Sequence, residues 1–172
     1  MRMPALHHGP SARGQSLVEL AISTTVMLLL LSGAVAFGMA FFSYVALRDA
    51  AQEGALFGSF NPCVDQNGNA KCDTGGTPEP VYLPGIRTRI RASSTAPVDF
   101  SNTSVVPDGY INAVATTGHA CEGNVGGVPN AIRVTVEYDY PVFVPFVGAI
   151  IGDDHIHLTA VVTDTILEPR CP

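Results

Sequence analysis

The sequence has no tryptophan, 14% charged residues, and nine lysines and arginines against fifteen acidic residues. The net charge of -6 provides no basic stripe for a phosphate backbone, so we expect no nucleic-acid partner. Catalytic signatures are missing as well: Gly-x-Ser-x-Gly, a Walker loop, a dinucleotide fingerprint and His-Glu-x-x-His do not occur. The sequence therefore predicts a protein that is not an enzyme and that uses no cofactor.

Charge is missing altogether from residues 20–47, and proline is missing from residues 15–59. A helix over the uncharged stretch would be about 42 Å long, whereas the hydrocarbon core of a bilayer is about 30 Å thick. Because nothing in the longer stretch breaks a helix, we predict one continuous helix that crosses a membrane and emerges from it.

The charges on the two flanks of this helix predict its direction. Arg2, Arg13 and the starting amine precede the helix, whereas Arg48 beyond it is balanced by Asp49 and Glu53. Because basic residues favour the cytoplasmic side, we expect a cytoplasmic N-terminus and an exoplasmic C-terminal part.

The emerging half of the helix is amphipathic. Its apolar and small side consists of Leu47, Ala50, Ala51, Gly54, Phe57 and Gly58, and its polar side of Arg48, Asp49, Gln52 and Glu53. Glycine is unfavourable in helices, so Gly54 and Gly58 predict a smooth surface for close packing of another element. We expect that element to be a sheet.

After a loop rich in Asn, Gly, Pro and Asp, the remaining sequence predicts a small antiparallel sheet. Strands are expected over residues 104–106, 110–115, 131–140 and 155–167. Alternation predicts that Ile132, Val134, Val136 and Tyr138 face the core and that Arg133, Thr135, Glu137 and Asp139 face water. With the helix as cover, the predicted fold class is α+β.

Two segments of this domain are open to two interpretations. In residues 85–92, Ile86 and Ile90 fit a helix while Arg87, Arg89 and Arg91 alternate as on a strand; Pro84 favours a short helix. The arginines form either an acidic-partner site or, as is commoner, a solvated face. The uncharged residues 141–151 either contact a neighbouring subunit or the bilayer, or fold back as core.

All four cysteines follow the apolar stretch, which indicates an oxidising compartment. They are Cys63, Cys72, Cys121 and Cys171. Three disulfide pairings are possible, and the short Asn/Gly/Asp loop favours Cys63 with Cys72, leaving Cys121 with Cys171. Without a Cys-x-x-Cys pair, a zinc site is not favoured.

Two further groups of residues resemble metal ligands. Asp65, Asn67, Asn69 and Asp73 alternate as in calcium loops, but Lys71 lies among them and no glutamate closes the loop, which favours a disulfide-closed turn. His155 and His157 share one strand face, with Asp153 or Asp154 nearby, although a solvated strand end is the commoner outcome. We therefore predict no metal.

Residues 13–19 read RGQSLVE, in which a basic leader ends in glycine and one carboxylate precedes the apolar helix. This sequence resembles the type IV prepilin processing signal. The resemblance implies that a prepilin peptidase cuts after Gly14, that Gln15 becomes the first mature residue, and that Glu19 is the fifth. It also implies that Glu19 pairs with the Gln15 amine between neighbouring subunits and sets their register. Alternatively, Glu19 only reaches into the headgroups.

The wider match resembles the TadE-like family of the tight adherence pilus system, because residues 50–55, AAQEGA, also fit the end of that family's helix. Gln52 stands where an arginine is usual. The resemblance implies a minor pseudopilin of the bacterial inner membrane. The implied partners are a prepilin peptidase, other pilins or pseudopilins, the inner-membrane assembly platform and the lipid bilayer. We expect residues 1–14 as leader, 15–59 as helix and 60–172 as a disulfide-containing exoplasmic domain.

A competing interpretation treats the apolar stretch as an ordinary secretory signal. Residues 34–36, Ala-Val-Ala, would then form the cleavage site, and the mature chain would begin at Phe37. The apolar stretch is much longer than the usual core of such a signal. The alternative function is a membrane-anchored or secreted binding domain that is unrelated to pili.

Overall fold

The computed structural model describes residues 12–62, 81–118, 120, 124–142 and 152–167. Within these ranges a long N-terminal helix covers one face of a small antiparallel sheet. This arrangement confirms the α+β fold class. The predicted apolar connection lies mostly outside the described residues.

Helix α1 runs without interruption over Ala12–Phe60, a length of 49 residues. Its N-terminal half is largely exposed, whereas Ser43, Leu47 and Ala50 are buried against the rest of the protein. The change occurs where the sequence changes from uniformly apolar to amphipathic, since only the amphipathic half has one side to bury. The predicted continuous helix is confirmed.

Strands β1 and β5 flank β4 in a three-stranded antiparallel sheet, and β2 and β3 form a separate short hairpin. The strands span β1 Ile111–Ala115, β2 Asn124–Val125, β3 Val128–Pro129, β4 Ala131–Pro141 and β5 His155–Thr165. Gly126 and Gly127 form the hairpin turn with φ of 60° and 86°, as a type I′ turn requires.

Strand β4 lies at the centre of the core. Ile132, Val134 and Val136 are completely buried, as their alternation predicts, and Tyr138 is partly buried. They share one core cluster with the buried side of α1, which includes Leu47, Ala50, Ala51 and Ala55. The small alanines let the helix lie close to the sheet, so α1 is the cover that the sheet needs.

Helix α2 (Leu83–Arg91) confirms the helical interpretation of this segment, with Pro84 in its first turn. Ile86 and Ile90 are completely buried. A Cβ atom at Gly54 would lie 2.7 Å from Cδ1 of Ile90. The element that packs against Gly54 is therefore α2, and the expectation that the sheet does so is wrong there.

Gly58 lies one helical turn further on, between α2 and the sheet. A Cβ atom there would lie 3.0 Å from Cδ1 of both Ile132 and Ile86. The sheet thus meets the second glycine, as predicted, together with α2. The two glycines leave the space that lets α1 touch both neighbours.

The predicted strand over residues 104–106 is wrong, because this segment forms a turn. The carbonyl oxygen of Asn102 accepts the N–H groups of Val105 and Val106, both at 3.0 Å. Its side-chain oxygen accepts the N–H of Ser104 at 2.9 Å. Asn102 thus satisfies local backbone groups that a strand would have paired across a sheet. The buried Val106 still serves the core.

Candidate functional site

The outer surface of α1 is an extended, exposed apolar surface and a candidate interaction surface. Gly14–Phe60 is long and apolar enough to span a bilayer, and its most apolar window is 0% buried. Large side chains such as Met27 (74% exposed) and Leu30 (70% exposed) contact nothing that would shield them from solvent. A surface of this kind needs lipid or other apolar helices around it.

The residues of the predicted processing signal lie in the first turns of α1. Gly14 has open space where a Cβ would be, and Gln15 and Glu19 are exposed. Spaced four residues apart, Gln15 and Glu19 occupy the same helix face one above the other. Among the described residues Glu19 has no ion-pair partner. Within the described residues, this carboxylate is thus open to a partner.

The arginines of α2 bond to the protein itself. Arg89 forms an ion pair with Glu53 of α1, N to O 3.1 Å, and Arg87 donates to the carbonyl of Ile111 at 3.1 and 3.2 Å. The predicted solvated face describes Arg89, which is exposed (56%) in a surface ion pair, but not Arg87, which is only partly exposed. Both arginines tie α2 to its neighbours.

Arg91 ties the end of α2 to the segment that leads into β1. It donates to the carbonyl oxygens of Phe100 (2.8 Å) and Val106 (3.2 Å) and forms an ion pair with Asp108. This hydrogen bond from Arg91 lowers the pKa of the Asp108 carboxyl. Arg91 therefore orders the turn that replaces the expected strand.

A polar cluster on the water-facing side of the sheet joins three chain segments. The Tyr110 hydroxyl donates to Asp139 Oδ2 at 2.6 Å, and Nδ1 of His157 lies 2.7 Å from Asp139 Oδ1. The other ring nitrogen of His157 lies 3.8 Å from Glu137. The cluster links the segment before β1 with β4 and β5.

Hydrogen bonds in this cluster shift three pKa values. The Tyr110 hydroxyl, followed by His157, stabilises the charged Asp139 and lowers its pKa. Asp139 in turn raises the pKa of His157 and that of Tyr110. These shifts favour an ionised Asp139 beside a protonated His157.

Within the described residues, the contacts of His155 and His157 give no support for a metal site. His157 bonds to Asp139, while the backbone N–H of His155 bonds to Asp153 Oδ1 at 3.1 Å. Within the described ranges no three His, Cys, Asp or Glu residues group so as to hold a metal ion. The candidate calcium ligands Asp65, Asn67, Asn69 and Asp73 and the cysteines Cys63, Cys72, Cys121 and Cys171 lie outside the described residues.

Sequence reasoning missed the contacts of Asp139 with Tyr110 and His157, and that of Arg91 with Asp108. The alternation of β4 placed Asp139 on the wet face but gave no information about its neighbours. The only usable signal was that Asp139 and His157 both lie on predicted strands. Their register depends on the length of the connection between those strands.

Together these features define an α+β protein whose small sheet is built onto the end of an apolar helix of membrane-spanning length. Residues 14–56 match the family model described as TadE-like protein, which confirms the resemblance over that segment. No curated protein and no solved structure matches the chain. The match lies entirely within α1, so the similarity covers most of the exposed apolar half of this helix and the buried turns that follow it.

Proposed function

We propose that this protein is a membrane-anchored minor pseudopilin that supports assembly or initiation of a tight adherence pilus. Its role is structural and not enzymatic, and it acts through helix packing. The supporting observation is that the TadE-like segment, residues 14–56, coincides with a helix that is apolar and exposed at one end and part of the core at the other.

Retention of the helix is supported by what its loss would expose. Cleavage after Ala36 would leave Phe37, Phe41 and Phe42, which are 74%, 58% and 57% exposed, at a new water-facing terminus. Burying a large apolar side chain is worth about 1.5–3 kcal/mol. A chain that keeps residues 15–36 can hold these phenylalanines in or near the bilayer.

In this proposal a prepilin peptidase removes residues 1–14, and the helix stays in the inner membrane with the C-terminal domain outside. Gln15 then carries a free amine on the helix face of Glu19. A carboxylate at the membrane boundary is costly unless it is paired. The amine of a neighbouring pilin or pseudopilin, delivered at the assembly platform, would satisfy it and set the register.

The N-terminus of the mature protein tests the proposal. The full chain is expressed in bacteria with and without a prepilin peptidase, and its N-terminal peptide is identified by mass spectrometry. We expect Gln15 as the first residue only when the peptidase is present. Gly14→Val should prevent this cleavage. Gly33→Val is the matched control, because both glycines have open space around them.

A mature chain that begins at Phe37 and is free in the medium would support a secreted binding domain instead. A chain that begins at Met1 in every strain would support a plain membrane anchor. Either result contradicts processing by a prepilin peptidase.

A further inference from the structure

A groove of about 850 Å³ runs along the emerging part of α1, between the end of α2 and strand β5. The α1 residues that line it recur at helical spacing, from Phe42 to Leu56, over about 21 Å of helix axis. Ser93 to Pro97 form one side, and Val162, Thr163 and Asp164 form the other. Its length and helical lining suit a second helix lying alongside α1.

The groove is lined by apolar and polar residues in similar measure, and its charge is acidic. The charged side chains that line it are Asp49, Glu53 and Asp164, without a lysine or arginine among the lining residues. Glu53 is already paired with Arg89. Asp49 is exposed, and no ion pair involves it in the described part of the chain. A helix that enters the groove and removes water from Asp49 is therefore favoured by a cation at the level of Asp49.

Helix α1 itself carries such a cation on a different flank. Arg48 is exposed and forms no ion pair with the described residues. It lies about 100° around the helix from Asp49, and the rise between them is only about 1.5 Å. Two copies held at equal depth by their anchors would thus present Arg48 and Asp49 at the same height.

The groove also continues into the membrane-facing surface. Phe42, at its lower end, is 57% exposed and follows the exposed Phe37 and Phe41 on the same helix. An occupant that lies along α1 would cover this apolar surface too. A soluble peptide would cover only the upper part, so an occupant anchored in the same bilayer fits better.

We infer that the groove receives helix α1 of a second copy of this chain, with Arg48 of that copy placed against Asp49. The surfaces that meet are different on the two copies, since one contributes its groove and the other its Arg48 flank. Such a contact is heterologous, so a pair of copies keeps a free groove on one copy and a free flank on the other. Further copies can add at both, which gives a row or a closed ring within the membrane. This inference goes beyond the proposed function and requires neither processing nor a pilus.

Sedimentation equilibrium of the full chain in density-matched detergent micelles tests the inference. We expect concentration-dependent self-association of the unaltered chain. Asp49→Arg and Arg48→Asp should each weaken it about fivefold, since an exposed attraction becomes a repulsion. The double variant R48D/D49R should recover most of the affinity, because the two charges then meet with exchanged signs.

Matched control variants distinguish a contact made through the groove from a general effect of changing the protein surface. Asp154→Arg makes the same charge change on an exposed residue outside the groove and should leave association unchanged. Leu56→Asn in the groove should weaken association, whereas Val114→Asn on β1, with nearly the same exposure (48% against 47%), should not. Circular dichroism checks that each variant keeps its helix content.

Three results would overturn the inference. The first is an unaltered chain that stays monomeric at all concentrations, as it would if another segment or another protein fills the groove. The second is equal weakening by Asp49→Arg and Asp154→Arg. The third is a double variant R48D/D49R that self-associates no more tightly than either single variant. N-terminal processing is read out separately, so this inference and the proposed function can fail independently.

Discussion

At the scale of single residues, the Asp139 side chain joins two other segments on the sheet surface. It accepts a hydrogen bond from Tyr110 and faces the ring of His157, which lie on separate segments. The lowered pKa of Asp139 adds stability above the ordinary carboxyl pKa of about 4, which is lost as pH falls. The raised pKa of His157 adds stability below about 6.5, which is lost as pH rises through the raised value. The Asp139–His157 pair therefore stabilises the fold most between these two pH limits.

Replacing Asp139 tests this cluster. In the unaltered protein we expect His157 to titrate above the usual histidine pKa, because it faces the Asp139 carboxylate. Asp139→Asn should lower the pKa of His157 toward about 6.5, although Glu137 stays nearby. Ring proton shifts measured by NMR across pH 4 to 9 give the value directly.

Tyr110→Phe is the control, because it removes a hydrogen bond from Asp139 but keeps the carboxylate beside the ring. His157 should then still titrate above the usual value. An unaltered protein in which His157 titrates normally would contradict the geometry of the cluster.

Sequence patterns predicted the partners of individual side chains less well than they predicted helices and strands. The positions of Arg87, Arg89 and Arg91 suggested a solvated face, yet two of them donate to backbone carbonyls of distant segments. Such partners depend on the path of the chain between elements. Periodicity does not encode that path.

At the scale of elements, the contact between α1 and α2 depends on a missing side chain. Gly54 leaves room for Ile90, whose Cδ1 and Cγ1 would lie 2.7 and 2.8 Å from an added Cβ. Both helices carry buried positions at this crossing. The contact therefore has no spare space for a methyl group.

Gly54→Ala should lower stability. Alanine favours the helix by about 1 kcal/mol over glycine, but overpacking a core costs about 1–3 kcal/mol. We expect a net loss of about 1 kcal/mol, measured by denaturant unfolding of the full chain in detergent.

Ile90→Val in the same background tests the cause, because it removes Cδ1, the nearest atom. The double variant should lose less than the sum of the two single changes. A Gly54→Ala variant more stable than the parent would show that the helices separate freely at this point.

Most of the elements could be predicted because their patterns are strong. Apolar and polar residues alternate strictly from Ile132 to Tyr140 in the 131–140 strand, and α1 contains no proline. The strand prediction for residues 104–106 was wrong because Ser-Val-Val has a strand-like composition. In the structure, Asn102 accepts the backbone N–H groups of these residues and forms a turn with them. The partner of Gly54 was misassigned because a smooth helix surface indicates close packing but does not tell which element packs there.

At the scale of the whole molecule, α1 belongs to two environments. Its N-terminal half offers an exposed apolar surface, and its C-terminal half completes the core of the domain. The match to TadE-like proteins extends across both halves. A protein of this design keeps its domain at a fixed place on its anchor.

Replacing Glu19 tests how the whole molecule takes part in assembly. Glu19→Ala should still be cleaved after Gly14 but should reduce piliation severalfold, because an incoming amine loses its counter-charge. Piliation is counted by electron microscopy of cells in which the variant replaces the native copy.

Glu19→Gln keeps the size of the side chain and removes only the charge. It should reduce piliation as much as alanine does. Normal fibres with either variant would show that Glu19 does not set the register and only occupies the membrane boundary.

The unbroken path of α1 from its exposed apolar half to the core has a mechanical consequence. Leu47, Ala51 and Ala55 are completely buried, so no flexible joint lies between the exposed half of the helix and the half that packs on the sheet. A force along the helix axis would therefore move both halves together. With the exposed half held in a bilayer, as proposed, lifting the domain away would require extracting the helix or unfolding the core.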